Sequence, residues 1–435
     1  MSLTRFTKLL PLAMIVTLVL AACSSGSSAA PSGGASAPAS TEESTAPSEA
    51  AYPTGDFTIE LWTKEGDPNI DFVQQLADDY SALHSNVTFN VVNKDVEVLR
   101  EDMVNTALSP DAQPQLLWTV ADHVGPFTAA GVIQPLDGLI DEATYDPVAW
   151  SATLADGKQW GAPISNGNQL MLYWNKSLAG DEAPADSDAM IQVAKDNTSG
   201  DNYGLVFNQT ESFWLAPILG GFGGSVFADD GVTPTLDTQS MKDALQFMYD
   251  LKYTDLVMPS ECDYNCADGL FKQGAAAMII NGDWALGDYS TTLADDLGVG
   301  PIPKITATGE YPKPYTAGTF YMVPSSVEGD TLTVVTDFIT WSTDKEQQVA
   351  MVEALKRLPA NAEALADPVV TDDPLLAGAA EAVKVGTPQP TNVEMRCNFD
   401  AMTAGIRDVF GGNSDIAGVA TTMQEAADNC LATLS

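Results

Sequence analysis

The chain has 435 residues, with 19 Lys and Arg against 59 Asp and Glu, a formal net charge of −40. So acidic a surface repels nucleic acid and anionic lipid, which excludes both as partners and favours a neutral or cationic ligand. Hydrophobic residues make up 45% of the chain, ample for true cores, and beyond the N-terminus no apolar run approaches a membrane span.

Arg5 and Lys8 precede an apolar stretch from Leu9 to Leu20 that runs into Leu20-Ala21-Ala22-Cys23. A basic start, a short apolar core and small residues before a cleavage point read as a secretory signal over residues 1–22. The tetrad resembles the bacterial lipobox, which implies that Cys23 becomes a lipidated first residue anchored to the outer face of the cell membrane. Cleavage removes Arg5 and Lys8 and leaves 17 basic against 59 acidic residues, a net charge of −42. Residues 23–54 are mostly Ser, Ala, Gly, Pro and Thr, too poor in apolar surface to offset ordering entropy, and read as a flexible tether. About 380 residues remain, enough for two domains.

In chain order, 57–62 alternates like a strand, and Phe72, Val73, Leu76, Ala77, Tyr80 and Leu83 recur at helical spacing. A strand at 87–92, an amphipathic helix over 95–108 and a strand at 115–119 follow, with Asp122 placed to cap a helix leading to Ala130. A second series starts near Gly167, with strands at 169–175 and 203–207 and helices over 211–220 and 240–253. Continued alternation predicts mostly parallel sheets covered by helices on both faces. The stretch "LFKQGAAAMIINGDWALGD" (270–288) reads as a helix end, a left-handed cap at Gly274 and a buried strand over 275–280. Asn281-Gly282 then makes a turn, and Asp283 caps a helix begun near Trp284. That places an indole at a strand's carboxyl end, where open α/β sheets bind ligands. Beyond Pro314, residues 315–325 are strand-like and 330–343 form an amphipathic helix.

Besides Cys23 there are four cysteines, Cys262, Cys266, Cys397 and Cys430, which on an exported chain predict two disulfides with three possible connectivities. Near neighbours close most readily, which favours Cys262 with Cys266 and Cys397 with Cys430. With no CxxC pair and an oxidising compartment, neither a metal nor a cofactor is expected. His84 and His123 are the only histidines, which excludes HExxH zinc chemistry, and no G-x-S-x-G motif occurs.

The run Phe271, Gly274, Ala276-Ala277-Met278, Ile280, Asn281-Gly282, Trp284-Ala285 resembles the extracellular sugar-binding proteins of ABC importers, above all the maltose-binding-protein group. "APISNGNQLMLYWNKSLA" (162–179), "LVFNQTESFWLAPILGGFGG" (205–224) and "QLLWTVADHVGPFTAAGVIQPLDGLI" (115–140) resemble further segments of that group in the same order. The resemblance implies a periplasmic-binding-protein-like α/β fold of two discontinuous lobes, 55–164 with 316–367 and 168–312 with 371–435. A solute would sit in the cleft between lobes that close by hinge bending, and a membrane permease would recognise the closed form. The protein is expected to act as a monomer and not as an enzyme.

A sugar offers hydroxyl rims and apolar C–H faces, so its site needs rings to stack and carboxylates or amides to take hydroxyl hydrogen bonds. On the resemblance, Asp122 and Glu211 are the carboxylates of the two lobes, Trp284 the stacking tryptophan, and Phe213 and Phe399 further rings. Trp214 is an extra stacking candidate, because neighbours at helical spacing do not both face the cleft. Trp62, Lys64 and Glu65 form a polar strand-end loop, and Asn166 or Asn168 replaces a further carboxylate. Thr119 and His123 stand where the maltose group carries Trp and Arg, which points to a mono- or oligosaccharide other than maltose. His123 itself reads as a surface helix residue. A lipid-anchored glycosidase, a surface glycan-binding lipoprotein and a binder of another neutral or cationic solute are the alternatives.

Overall fold

The computed structural model describes residues 52–434. The signal peptide, Cys23 and residues 23–51 of the tether lie outside the described residues. Two separate sheets organise the rest. In the first, the strands run in the order Val87–Asn93, Phe57–Thr63, Leu116–Val120, Thr319–Pro324, Ile133–Gln134, and Ala162–Pro163 pairs with Thr319–Pro324 off that path. In the second the order is Leu297–Gly300, Leu170–Asn175, Ala276–Gly282, Tyr203–Val206.

Side chains alternate across each sheet, and both faces are buried. Leu61, Trp118, Tyr321 and Phe338 share one core of the first sheet, while Leu117, Phe320, Leu99 and Phe127 share the other. In the second, Leu172, Trp174, Met278 and Ile280 face one core, and Met171, Tyr173 and Ile279 face the opposite one. Sheets wrapped on both faces suit the apolar runs of these strands.

The sheets are mixed, not mostly parallel. Strand 57–63 pairs in parallel with 87–93 and 116–120, but 319–324 runs antiparallel to 116–120. Strand 276–282 pairs in parallel with 203–206 and antiparallel to 170–175. Strands 170–175 and 319–324 are entered from segments that cross between the sheets, and they reverse the local chain direction. Those segments lie side by side: Ile164 N–H donates to Thr319 O at 2.8 Å, Ala317 N–H to Gly167 O at 2.8 Å and Asn166 N–H to Leu358 O at 2.9 Å.

Gly274 takes the left-handed conformation expected of a cap, with φ of +70°. Asn281 and Gly282, by contrast, belong to the strand Ala276–Gly282 and make no turn. Gly282 lies directly beneath the Trp284 ring, where any Cβ would collide. Asp283 does not cap the following helix: its carboxylate accepts the Asn168 N–H at 3.0 Å, 115 residues away in sequence. The structure joins Cys262 to Cys266 and Cys397 to Cys430. Among the described residues, no helix is long and apolar enough to cross a membrane.

Candidate functional site

A cavity of about 1020 Å³ opens between the two sheets. Each wall is set by the carboxyl ends of strands. From the first sheet, strand 57–63 delivers Lys64 and Glu65, and strand 116–120 delivers Asp122. From the second, strand 203–206 leads to Glu211, Phe213 and Trp214, and strand 276–282 to Trp284. Asn168 from a crossing segment and Phe399 from the helix Met395–Phe410 complete the set. Nine of the expected residues thus meet around one space.

Two do not. Trp62 packs away from the cavity with Leu99 and Leu117, under the Lys94 ammonium 4.2 Å from its ring centroid. Trp62 still belongs to the strand Phe57–Thr63 and is held in the core on one face of its sheet, whereas Lys64 and Glu65 lie beyond the strand's end, where the cavity opens. Asn166 is buried in the crossing segment and donates to Asp146 Oδ1 at 3.2 Å.

The polar wall is divided between paired and unpaired charge. Glu65, 2% exposed, accepts both Arg357 Nη1 and Nη2, at 2.7 and 2.8 Å, with Lys64 Nζ 2.9 Å away. Burial alone would raise the Glu65 carboxyl, but the Arg357 and Lys64 charges outweigh it and hold the group well below the usual carboxylate range. Burial lowers the Lys64 ammonium and raises the nearby Asp283 carboxyl against the pull of Arg357.

Asp122 lies in the short turn Ala121–His123 and caps nothing. Desolvation, reinforced by the charge of Glu97, pushes its carboxyl from 3.8 up to about 6. Glu211 caps nothing either; desolvation raises its carboxyl against a hydrogen bond from the Asn208 side chain, and the charges of Glu97 and Asp95 add to the rise. Each lobe therefore contributes to the cavity a carboxylate, Asp122 or Glu211, that is in no ion pair among the described residues. His123 is wholly buried, and its Nδ1 lies 2.7 Å from Thr119 Oγ1. Both lie buried beneath the strand end and outside the cavity lining, so neither departure from the maltose group touches the cavity, and His123 is not a surface residue.

The opposite wall is aromatic. Trp284 is half-buried, and its Nε1–H donates to Tyr264 Oη at 3.0 Å. Phe213 lies with its ring centroid 6.2 Å from that of Trp284, and Phe399 stands edge-on to Tyr315 at 6.3 Å. Trp214, expected as the extra stacking ring, is 5% exposed and its indole donates to Ile280 O at 2.8 Å. It packs in the core at the cavity floor, and Phe213 is the more open of the two neighbours.

The walls touch at the rim, where Arg396 Nη1 donates to Glu97 Oε2 at 2.8 Å and Asn69 Nδ2 to Trp284 O at 3.5 Å. Gly125 packs against the backbone of Thr391–Val393, with no room for a Cβ. Sequence reasoning missed Tyr264, Arg357, Glu97 and Arg396. Tyr264 sits between two cysteines, and that is the signal that would have marked it. Among the described residues no group of three or more His, Cys, Asp or Glu side chains is arranged to hold a metal.

Comparisons with known proteins agree with this geometry. The chain is 24% identical over 382 residues to a maltotriose-binding protein of Pyrococcus abyssi, covering 85% of this chain and 82% of that one. It is 25% identical over 316 residues to a maltooligosaccharide ABC transporter solute-binding lipoprotein of Streptococcus pneumoniae, covering 69% and 73%. Among solved structures, the maltose/maltodextrin-binding domain MalE of Bdellovibrio bacteriovorus, bound to maltotriose, superposes with a TM-score of 0.82 at 30% identity, covering 86% of this chain and all of that one. These relatives are described as binding proteins, not hydrolases. Residues 75–378 match the bacterial extracellular solute-binding proteins, and the chain belongs to that family.

Proposed function

We propose that this protein is the substrate-capturing component of an ABC importer for a maltooligosaccharide of about three glucose units. The observation that carries this is the pairing of an aromatic wall with a carboxylate from each side that is in no ion pair among the described residues, Asp122 and Glu211, across a space of about 1020 Å³. A volume of that order suits an oligosaccharide better than a single sugar ring. Trp284, Phe213 and Phe399 stack on C–H faces, while Asp122, Glu211 and the Asn168 amide take hydroxyl hydrogen bonds. Lys64 and Glu65 line the same space, but their mutual pairing suits them to shape it more than to bind. Thr119 and His123, hydrogen-bonded to each other, leave the glucan series open as ligand.

The lobes 55–164 with 316–367 and 168–312 with 371–435 close on the sugar by bending at the crossing segments, and the closed monomer docks on its permease. The Leu-Ala-Ala-Cys tetrad and the naming of a streptococcal relative as a lipoprotein support export, lipidation at Cys23 and a tethered body outside the membrane.

Titration calorimetry with maltotriose, paired with chromatography of the sugar after long incubation, tests the proposal. Saturable binding with the trisaccharide recovered intact is expected. Released glucose or maltose would instead make the protein a glycosidase, and no heat with any glucan would overturn the assignment.

A further inference from the structure

Part of the aromatic wall is enclosed in a covalent ring. Cys262 and Cys266 are joined, and the three residues between them, Asp263, Tyr264 and Asn265, all line the cavity. They form the opening turn of the helix Tyr264–Lys272. Such a turn ordinarily frays, because its first N–H groups have no partner within the helix. Here the Asp263 carboxylate accepts the Cys266 N–H at 2.9 Å, and the disulfide ties the same two ends. Cys262 is buried in the core with Phe271, Ile279 and Tyr289, and its carbonyl accepts the Gln209 N–H at 2.9 Å, two residues before Glu211.

The ring bears on Trp284 through Tyr264, whose hydroxyl accepts the indole N–H. That bond fixes the indole's rotation and leaves the phenol's own proton free to be donated. A bridge spanning only 4 positions removes little entropy from the unfolded chain, in contrast to the 33 positions spanned by Cys397–Cys430. Its effect is local.

We propose that Tyr264 is a further specificity-determining residue of the cleft, and that the Cys262–Cys266 ring is the brace that holds it and, through it, the Trp284 indole. The ligand part rests on the sugar reading above. Tyr264 donates to a sugar hydroxyl at the edge of the unit stacked on Trp284, and the ring keeps both groups in place before ligand arrives.

Indole nitrogen NMR on the ligand-free protein tests the brace, with the Trp284 resonance assigned by Trp284→Phe. Cys262→Ser/Cys266→Ser and Tyr264→Phe are each expected to shift or broaden that resonance, and Cys397→Ser/Cys430→Ser to leave it in place. Calorimetry with maltotriose tests the ligand role. Kd should rise about five- to tenfold for the first two variants and stay within about twofold for the third. An unmoved indole resonance in Cys262→Ser/Cys266→Ser overturns the brace, whatever Tyr264→Phe does. An unchanged Kd beside a shifted resonance overturns the ligand role. Failure of the wild-type protein to bind maltotriose sinks the sugar reading and that ligand role together, while the resonance still decides the brace. Should the double cysteine variant not fold, reduction of the remaining Cys262–Cys266 bond in Cys397→Ser/Cys430→Ser carries the brace readout and Tyr264→Phe the ligand role.

Discussion

The two walls of the cleft are held by opposite strategies. On the first-lobe side the buried charges are consumed by one another: Glu65 is gripped by Arg357 and Lys64, while Asp122 stands outside that cluster. On the second-lobe side the rings are fastened by their polar edges, Trp284 to Tyr264 and the core ring Trp214 to the Ile280 carbonyl, and the half-buried Trp284 keeps ring surface for other work. A charge in a cleft is therefore not automatically a ligand contact. What distinguishes Asp122 and Glu211 from Glu65 is that neither is in an ion pair among the described residues, so desolvation and neighbouring carboxylates prevail over more distant cations and raise both carboxyls.

The contrast can be broken first at Glu65. Glu65→Gln leaves Arg357 and Lys64 charged and buried, and is expected to cost about 3 kcal/mol of unfolding free energy; an unchanged denaturation midpoint would mean the cluster is not structural. Next comes Trp284→Ala, which should weaken maltotriose binding by about 1–3 kcal/mol while the protein stays folded. A collapse of Tm in its place would move the indole from ligand contact to core.

The smallest effect sharpens the comparison at Asp122. The folded protein holds this carboxyl's proton more tightly than the unfolded chain does. The group's stabilising contribution is thus present at low pH and lost as pH rises through about 6. Asp122→Asn should gain about 1 kcal/mol of stability near pH 7.5 and nothing near pH 4. It should also lose maltotriose affinity at pH 7.5, whereas wild-type affinity falls as pH drops through about 6. A wild-type binding curve flat across that range would place Asp122 outside the contact set.

Much of this was legible from local pattern. Alternation located strands 57–63, 87–93 and 170–175 to within a residue, because each is built from contiguous residues with short-range periodicity. Nine cleft residues were reachable by resemblance, since strand ends in this fold carry the site. What escaped was set by distant partners. Asn281-Gly282 looks like a turn, but Gly282 is small so that the indole can lie over it. Asp283 looks like a cap, but it is claimed by the Asn168 amide. Strand direction depends on where the chain recrosses between sheets, and no local window contains that. Glu65 and Arg357 are separated by 292 residues, and spacing carries no trace of their bond.

Gly125 has a consequence of its own. Its α-carbon faces the Thr391–Val393 backbone with space for hydrogen alone, so that one missing carbon limits how near the jaws come at that edge. A methyl there acts as a doorstop and larger groups as thicker ones, so a graded series at position 125 becomes a ruler for the gap, with capture of the guest failing once the stop is too thick.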